Sequence, residues 1–293
     1  MLEFIQTVLD GVLYGTTYAL IGIGFTLVFG VMQKLNMAYA SASIGAAYVA
    51  LVIGSKIAGA SAWLVFCLSF VIGGLFGLLV YLVCFHLIPL RNENATLMST
   101  VGMLLLADEL ISHATEGAPQ NYPSTEFGDE MLRLGELSVR GDLILVFAIS
   151  VVATAALLAL LYRTRLGLAT RAVAQQPVAA QLCGIRVVKI NALTFVITGL
   201  LGGLAGALVC SAVGTLSILI TGPLTVKGLI VTVIGGLGSV PGAIVAGLLV
   251  GGLENVFQYF RGVTERDLYV MLLLFAFLVF RPSGLFGARA GRD

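Results

Sequence analysis

Carboxylate and histidine side chains beside the apolar runs of this sequence are its first candidates for chemistry. Asp108 and Glu109 are adjacent at the end of one such run, and carboxylates inside a membrane could relay protons. Water reaches the end of a run, so we favour two solvated residues over a relay. His86 and His113 are isolated, and the four cysteines include no CxxC pair and no second ligand at metal spacing. The sequence therefore predicts no metal site.

Short catalytic motifs are absent from the sequence as well. The glycine-rich stretch GGLGSVPG has no lysine, and its spacing fits neither the Walker loop nor the dinucleotide fingerprint. The sequence contains neither GxSxG nor HExxH. We therefore expect no enzyme and no cofactor, and a net charge of +1 gives no indication of a nucleic-acid partner.

The apolar composition predicts the secondary-structure elements that position these residues. Mean hydropathy is +1.04 and 11% of the residues are charged, against roughly 25% in soluble proteins. The charges leave long uncharged runs at Leu143–Leu161, Ala192–Val226 and Gly228–Leu253. A helix of ~20 apolar residues crosses the ~30 Å of hydrocarbon in a bilayer. The sequence predicts an all-α polytopic integral membrane protein in a lipid bilayer.

We expect eight or nine transmembrane or re-entrant helices in one transmembrane domain, residues 1–293. The first segment contains no basic stretch, so we expect it to remain as a helix and not to be cleaved as a signal peptide. The two weakest segments, 95–113 and 224–238, are compatible with half-spans. The nine hydrophobic segments are 5–30, 40–57, 61–88, 95–113, 142–162, 190–213, 224–238, 241–260 and 267–281.

The basic residues predict an N-out, C-in orientation, because short cytoplasmic loops are enriched in lysine and arginine. In this orientation the loop at about 116–141 is outside and the loop at about 163–189 is cytoplasmic. Ten of the sixteen basic residues are then inside: Lys34, Arg91, Arg163, Arg165, Arg171, Arg186, Lys189, Arg281, Arg289 and Arg292.

Polar side chains cluster in the stretch NMAYASASIGAAY. Such groups are costly against lipid, so they face other helices or a water-filled path. An interhelical hydrogen-bond seam and a translocation path for a small net-neutral solute both explain them. The candidate path residues are Asn36, Tyr39, Ser41, Ser43 and Tyr48.

Glycines recur four residues apart, a spacing that lets membrane helices approach closely. Plain helix packing is the simpler interpretation, and a mobile interface is the alternative. The pairs are Gly11 and Gly15, Gly73 and Gly77, Gly199 and Gly203, Gly202 and Gly206, and Gly247 and Gly251.

The cytoplasmic stretch ATRAVAQQPVAAQLCGI has few bulky side chains. Pro177 suits the first turn of a helix, and Gly184 suits the left-handed position that ends one. We expect a helix of about two turns from Pro177 to Cys183, with Val178 and Leu182 on one face. A short helix held below the membrane by two spans is typical of a plug for a cleft in another protein, although basic residues here also satisfy the positive-inside rule.

Residues 163–195, RTRLGLATRAVAQQPVAAQLCGIRVVKINALTF, resemble the cytoplasmic loop of permeases from branched-chain amino acid ABC importers. Three more stretches resemble this family in the same order, and together the four cover most of the chain. They are GVLYGTTYALIGIGFTLVFGVMQKLNMAYA, GGLGSVPGAIVAGLLVGGLEN and RPSGLFG.

The resemblance implies a transport subunit of the bacterial inner membrane. Its expected partners are two cytoplasmic ABC ATPases, a second related permease and a soluble substrate-binding protein, and alternating access is the expected mechanism. The short helix would be the coupling helix that rests in a groove of an ATPase. The residues expected to couple to the ATPase are Arg171, Ala172, Gln175, Gln176, Pro177, Ala179, Ala180, Leu182, Gly184 and Ile185.

The chain also departs from the family pattern. Tyr39 and Ala40 stand where the family commonly has His and Gly, which leaves the transported solute open, and Arg186 replaces an Asn. Gln175 and Gln176 stand where acids are common, so we expect a less electrostatic ATPase contact. A self-contained secondary transporter or channel for a small neutral solute is the alternative function.

Overall fold

The computed structural model describes residues 2–57, 61–88, 93–123, 131–134, 137–281 and 283–287. Arg91, Arg289 and Arg292 and parts of the loop at 116–141 lie outside these ranges. The helices are α1 (Leu2–Met32), α2 (Tyr39–Lys56), α3 (Ala62–Val80), α4 (Glu93–Thr115), α5 (Gly141–Arg163), α6 (Arg165–Gln175), α7 (Pro177–Leu182), α8 (Val187–Val213), α9 (Thr221–Gly235), α10 (Val240–Arg261) and α11 (Val263–Phe280). A π-helical turn, Tyr81–His86, extends α3, and a 3-10 turn, Ile218–Ile220, precedes α9.

Each of the nine hydrophobic segments forms a long helix. Seven helices in the described part of the chain are long and apolar enough to cross a membrane, and they include both segments that the sequence ranked weakest. The helices α2 and α11 are not among the seven. Three serines and a lysine lower the hydropathy of α2, and α11 begins with Glu265, Arg266 and Asp267. The protein is therefore an all-α polytopic membrane protein.

Glycines bring two pairs of helices into backbone contact. A Cβ atom at Gly73 of α3 would lie 2.4 Å from the Gly199 oxygen of α8, and one at Gly15 of α1 would lie 2.7 Å from the Gly247 oxygen of α10. No real Cβ atom tolerates such distances, so only glycine permits this approach. The prediction of close glycine-mediated packing is confirmed at both contacts.

One end of the bundle collects four segments that are distant in sequence. Val31 at the end of α1 packs with Val173 of α6, Ala180 of α7 and Ile190 of α8. The segment after α11 reaches the same end, where the backbone N–H groups of Leu285 and Phe286 donate to the oxygens of Ile234 (2.7 Å) and Gly235 (3.1 Å).

The opposite end carries short strands that the sequence did not predict. Strand β1 (Gln120–Asn121) pairs antiparallel with β4 (Thr215–Leu216), and β2 (Met131–Leu134) pairs with β3 (Leu137–Arg140). The β1–β4 pair ties the loop at 116–141 to the end of α8, whereas β2 and β3 both lie within that loop. The two ends of the bundle therefore differ: one has helical connections and the other has strands.

Candidate functional site

The predicted two-turn helix is present as α7, held between α6 and α8. The side chain of Thr164 caps α6 by accepting a hydrogen bond from the Gly167 N–H (3.1 Å). The chain then extends at Gln176, and Pro177 opens α7. Gly184 has φ +84°, the left-handed conformation expected after the helix. The local structure predicted from Pro177 and Gly184 is confirmed.

The helix α7 has one buried and one protruding face. Ala180 is 5% exposed and packs inside the chain, whereas Val178 and Leu182 are 67% and 85% exposed. Ala179 is exposed and Ala180 is not, so the two alanines that the sequence analysis grouped together lie on different sides. Of that pair, only Ala179 can contact another protein without a rearrangement of α7.

The other residues of the coupling prediction surround this face. The guanidinium of Arg171 lies 5.1 Å from the ring centre of Tyr162. Ala172 and Ile185 are half-buried against the cluster around Val173. The remaining predicted residues are exposed: Gln175, Gln176, Pro177 and Gly184.

A hollow of about 400 Å³ lies beside α6 at this end of the bundle. Five parts of the chain line this hollow. Each contributes at least one residue: Gly30 of α1, Tyr162 of α5, Arg171 of α6, Ser239 before α10 and Phe286 after α11. The helix α6 packs directly on α1, α5, α7 and α8, so a displacement of α6 would act on these helices.

The polar residues at the start of α2 are divided between two environments. The hydroxyl of Tyr39 donates to the Thr198 oxygen of α8 (3.0 Å), and that of Ser43 donates to the Tyr39 oxygen (2.7 Å). Both side chains are buried, and the cavity beside them has a volume of about 10 Å³, at the limit for a single water. In this conformation Tyr39 and Ser43 form a packed seam between α2 and α8, closed to any solute.

Of the other predicted path residues, Asn36 lines the same small cavity as Tyr39 and Ser43, whereas Ser41 and Tyr48 do not. Asn36 Oδ1 and Ser41 Oγ are buried and accept or donate no hydrogen bond within the described residues. Tyr48 is half-buried and lines a separate apolar hollow of about 520 Å³ with Phe76 of α3 and Ile111 of α4. The five residues thus do not line one continuous path in this conformation.

A network of charged residues, buried at Lys227 and Glu254, joins α9, α10 and α11, and the sequence analysis missed it. Lys227 Nζ lies 2.7 Å from Glu254 Oε1 and 3.2 Å from Asp267 Oδ1. It also donates to the Tyr18 hydroxyl of α1 (3.2 Å). Arg266 Nε lies 3.0 Å from Glu254 Oε1.

The sequence carried a signal for this network. Two of the uncharged runs end one residue before a charge, at Lys227 and at Glu254, and the two charges have opposite sign. Charged residues inside membrane segments pair with one another and mark functional positions. The sequence alone, however, does not show that Lys227 and Glu254 are in contact.

Residues 7–280 match the model of the family described as branched-chain amino acid transport system, permease component. The chain belongs to this family. The resemblance seen in the cytoplasmic loop and in three other stretches is therefore confirmed. The chain is a multi-pass membrane protein and a transport subunit.

Permeases from bacteria and archaea are similar to this permease over nearly their whole length. The high-affinity branched-chain amino acid transport system permease protein BraD of Pseudomonas aeruginosa is 30% identical, over 97% of this chain and 96% of BraD. The permease LivH of Escherichia coli K12 is 29% identical, over 98% of this chain and 96% of LivH. A probable branched-chain amino acid transport permease of Methanocaldococcus jannaschii is 27% identical, over 96% of this chain and 92% of that protein.

The fold of this permease is also that of a solved transporter. The inward-facing structure of a metal-chelate type ABC transporter aligns with a TM-score of 0.51 at 16% identity, over 94% of this chain and 87% of that one. At this identity the likeness shows the ABC transporter permease fold and nothing about the solute.

Proposed function

We propose that this permease is one transmembrane subunit of an ATP-driven importer for branched-chain or related amino acids in the bacterial inner membrane. Support for the solute comes from the relatives, whose names specify branched-chain amino acid transport. The whole chain, residues 1–293, acts as one transmembrane domain, with a second related permease beside it. A soluble binding protein delivers the amino acid from outside.

The protruding face of α7 is the observation that supports an ATP-driven mechanism. Two large apolar side chains, Val178 and Leu182, are 67% and 85% exposed on a short helix, at the end of the bundle that holds the basic loops. Burying such a side chain in a partner contributes about 1.5–3 kcal/mol. We propose that α7 is the coupling helix and that each of two ATPase chains receives one such helix.

The orientation of the chain belongs to the same proposal. With the N-terminus outside, α7, the end of α1 and the segment after α11 are cytoplasmic, and the strand pairs β1–β4 and β2–β3 face the binding protein. All nine long helices, α2 and α11 included, then cross or enter the membrane. The positive-inside rule supports this orientation, because these residues lie at the α7 end: Lys34, Arg163, Arg165, Arg171, Arg186, Lys189 and Arg281.

Transport requires a second conformation. ATPase closure would move α6 and α7 as a rigid unit, and the helices around the 400 Å³ hollow would follow. We propose that the seam of Tyr39 and Ser43 opens in that second state and that Asn36, Ser41 and Tyr48 then line the path with them. Two buried polar atoms without a hydrogen bond among the described residues, Asn36 Oδ1 and Ser41 Oγ, support a second arrangement.

A test of the coupling role changes the most exposed side chain of α7. Leu182→Asp places a charge where the partner groove should be apolar, so we expect at least about tenfold weaker retention of the ATPases on the purified permease. The measurement is the amount of ATPase that co-purifies, by quantitative mass spectrometry. Leu219→Asp is the matched control: Leu219 is 83% exposed, in the 3-10 turn after the opposite end of α8. Retention of the ATPases by Leu182→Asp at the level of the unchanged permease would refute the coupling role of α7.

A self-contained secondary carrier is the second candidate, and the buried network of Lys227 and Glu254 is the observation that favours it. Carriers couple transport to ions through intramembrane carboxylates. Such a carrier needs no ATPase, so its uptake would be indifferent to Leu182→Asp.

A further inference from the structure

A small hollow at the surface of α9 and α11 opens beside the charged network. Its volume is about 170 Å³, well above the ~10–15 Å³ that one water needs. Lys227 and Asp267 lie side by side in its wall. The apolar wall is formed by Val226, Ile230, Val270 and Met271.

Lys227 and Asp267 are an unequal pair. The side chain of Lys227 is 8% exposed and that of Asp267 is 49% exposed. Asp267 Oδ1 lies 3.2 Å from the ammonium but makes no hydrogen bond among the described residues, whereas Lys227 donates to Glu254 at 2.7 Å. Asp267 is therefore the replaceable partner of a buried cation.

The rest of the network fixes that cation in place. Glu254 is 2% exposed and receives both Lys227 and Arg266, while its second oxygen is buried without a hydrogen bond in the described part of the chain. Two cations and two carboxylates give a net charge of zero. Helix packing alone does not require such a group, because apolar residues of similar size pack as well or better.

We infer that this hollow, the zwitterion pocket, binds an aliphatic α-amino acid. The carboxylate of the ligand takes the place of Asp267 on Lys227, and the ligand ammonium pairs with the released Asp267. The branched side chain packs on Val226, Ile230, Val270 and Met271. The ion pair between Lys227 and Asp267 is replaced by two ion pairs, one from each of these residues to the ligand. The net charge of the site stays zero because the ligand is a zwitterion. The inference rests on the proposed function for its substrate class.

The geometry discriminates against ligands that lack either charge. A carboxylic acid without the ammonium displaces Asp267 from Lys227 and leaves that carboxylate with Arg266 Nε alone, at 3.6 Å. An amino-acid amide lacks the carboxylate that Lys227 requires. A poorly paired charge near an apolar wall is costly, so both analogues should bind more weakly than the amino acid.

The test measures protection of a thiol in the zwitterion pocket. Met271→Cys is introduced into a permease whose exposed Cys67 and Cys183 are replaced by serine. The purified permease, with whatever chains accompany it, is labelled with a small maleimide and without binding protein. We expect leucine to slow the labelling saturably, and leucinamide and 4-methylpentanoate to require about tenfold higher concentrations or more.

Asp267→Asn separates binding from structural support. The variant should raise the leucine concentration for half-protection by about tenfold and lower that for 4-methylpentanoate, because the acid no longer has to displace a carboxylate from Lys227. A purely structural role would shift both concentrations alike. Glu265→Gln, which removes the same charge two residues earlier on α11, is the control and should leave both values unchanged.

The outcomes separate the pocket from the proposed function. Equal protection by leucine and by 4-methylpentanoate would overturn the inference, since it would indicate simple apolar partitioning. A transporter that imports leucine while leucine fails to protect the thiol would also overturn it and leave the proposed function intact. Protection by leucine in a permease that recruits no ATPase would support the pocket and refute the ATP-driven function.

Discussion

A buried ion pair in a membrane helix persists against its own desolvation cost. Lys227 and Glu254 have side chains that are 8% and 3% exposed, and the effective penalty for burying each ion is several kcal/mol. The Tyr18 hydroxyl and Arg266 supply further contacts that offset this penalty. These contacts allow α9, α10 and α11 to keep charged residues in otherwise apolar segments.

Ser43 provides a residue-scale test of alternating access. A Ser43→Cys thiol should be unlabelled by a small polar reagent in the conformation described here, because the adjacent cavity holds about 10 Å³. Labelling should rise during ATP turnover, when the proposed path opens. The measurement is the rate of thiol modification with and without ATP, in a background that lacks the exposed Cys67 and Cys183.

The same experiment can contradict the path. Protection of the Ser43→Cys thiol in every transport state, in a transporter that still imports solute, would assign Tyr39 and Ser43 to a permanent seam. Residue types alone left this choice open. The sequence predicted that Tyr39 and Ser43 avoid lipid, but the hydrogen bond from Tyr39 to the Thr198 oxygen joins residues 159 positions apart, and nothing local in the sequence specifies that pairing.

Two helices can approach closely where a glycine leaves the backbone without a side chain. Along α3 and α8, Gly73 and Gly203 each face backbone atoms of the other helix, and a Cβ at Gly203 would clash with the Ser69 oxygen of α3. Ser69 in turn donates a hydrogen bond to the Gly203 oxygen (2.7 Å). The α3–α8 contact is therefore held by close approach and by a hydrogen bond between the two helices.

Gly73→Ala tests this contact at the element scale. The new methyl group would lie 2.4 Å from the Gly199 oxygen, and a backbone oxygen cannot rotate away. We expect a loss of about 1–3 kcal/mol in the free energy of unfolding, measured as a lower melting temperature in detergent. Gly102→Ala in α4 is the matched control, since no atom lies within 4 Å of its Cβ position, and alanine favours a helix over glycine by ~1 kcal/mol. Equal destabilisation by both variants would contradict glycine-mediated packing.

Helices were predictable from the sequence where apolar runs were long, and the nine segments all became helices. The sequence ranked 224–238 as weak because its apolar run is short, yet α9 gains a turn from Ile218–Ile220 and belongs to a candidate span. The strands β1 and β4 were not predictable, because two residues carry no periodicity. Their pairing depends on α8 bringing Thr215 to Asn121.

At the scale of the whole molecule, the two ends of the bundle have different surfaces. The α7 end presents the protruding Val178 and Leu182 beside exposed arginines, and the opposite end presents strand pairs. The sequence predicted this polarity through its basic residues, since the loops that carry them converge at the α7 end. It could not predict that Ala180 turns inward, because that depends on Val31 and Ile190 packing against it.

The composition of the purified complex tests the central claim most directly. The tagged permease is expressed together with its neighbouring genes, and the intact mass of the particle is measured in detergent. We predict two ATPase chains and a second, related permease chain beside this one. A permease that purifies alone or as a homo-oligomer, with no nucleotide-hydrolysing partner, would contradict the coupling role of α7 and indicate a self-contained carrier or channel.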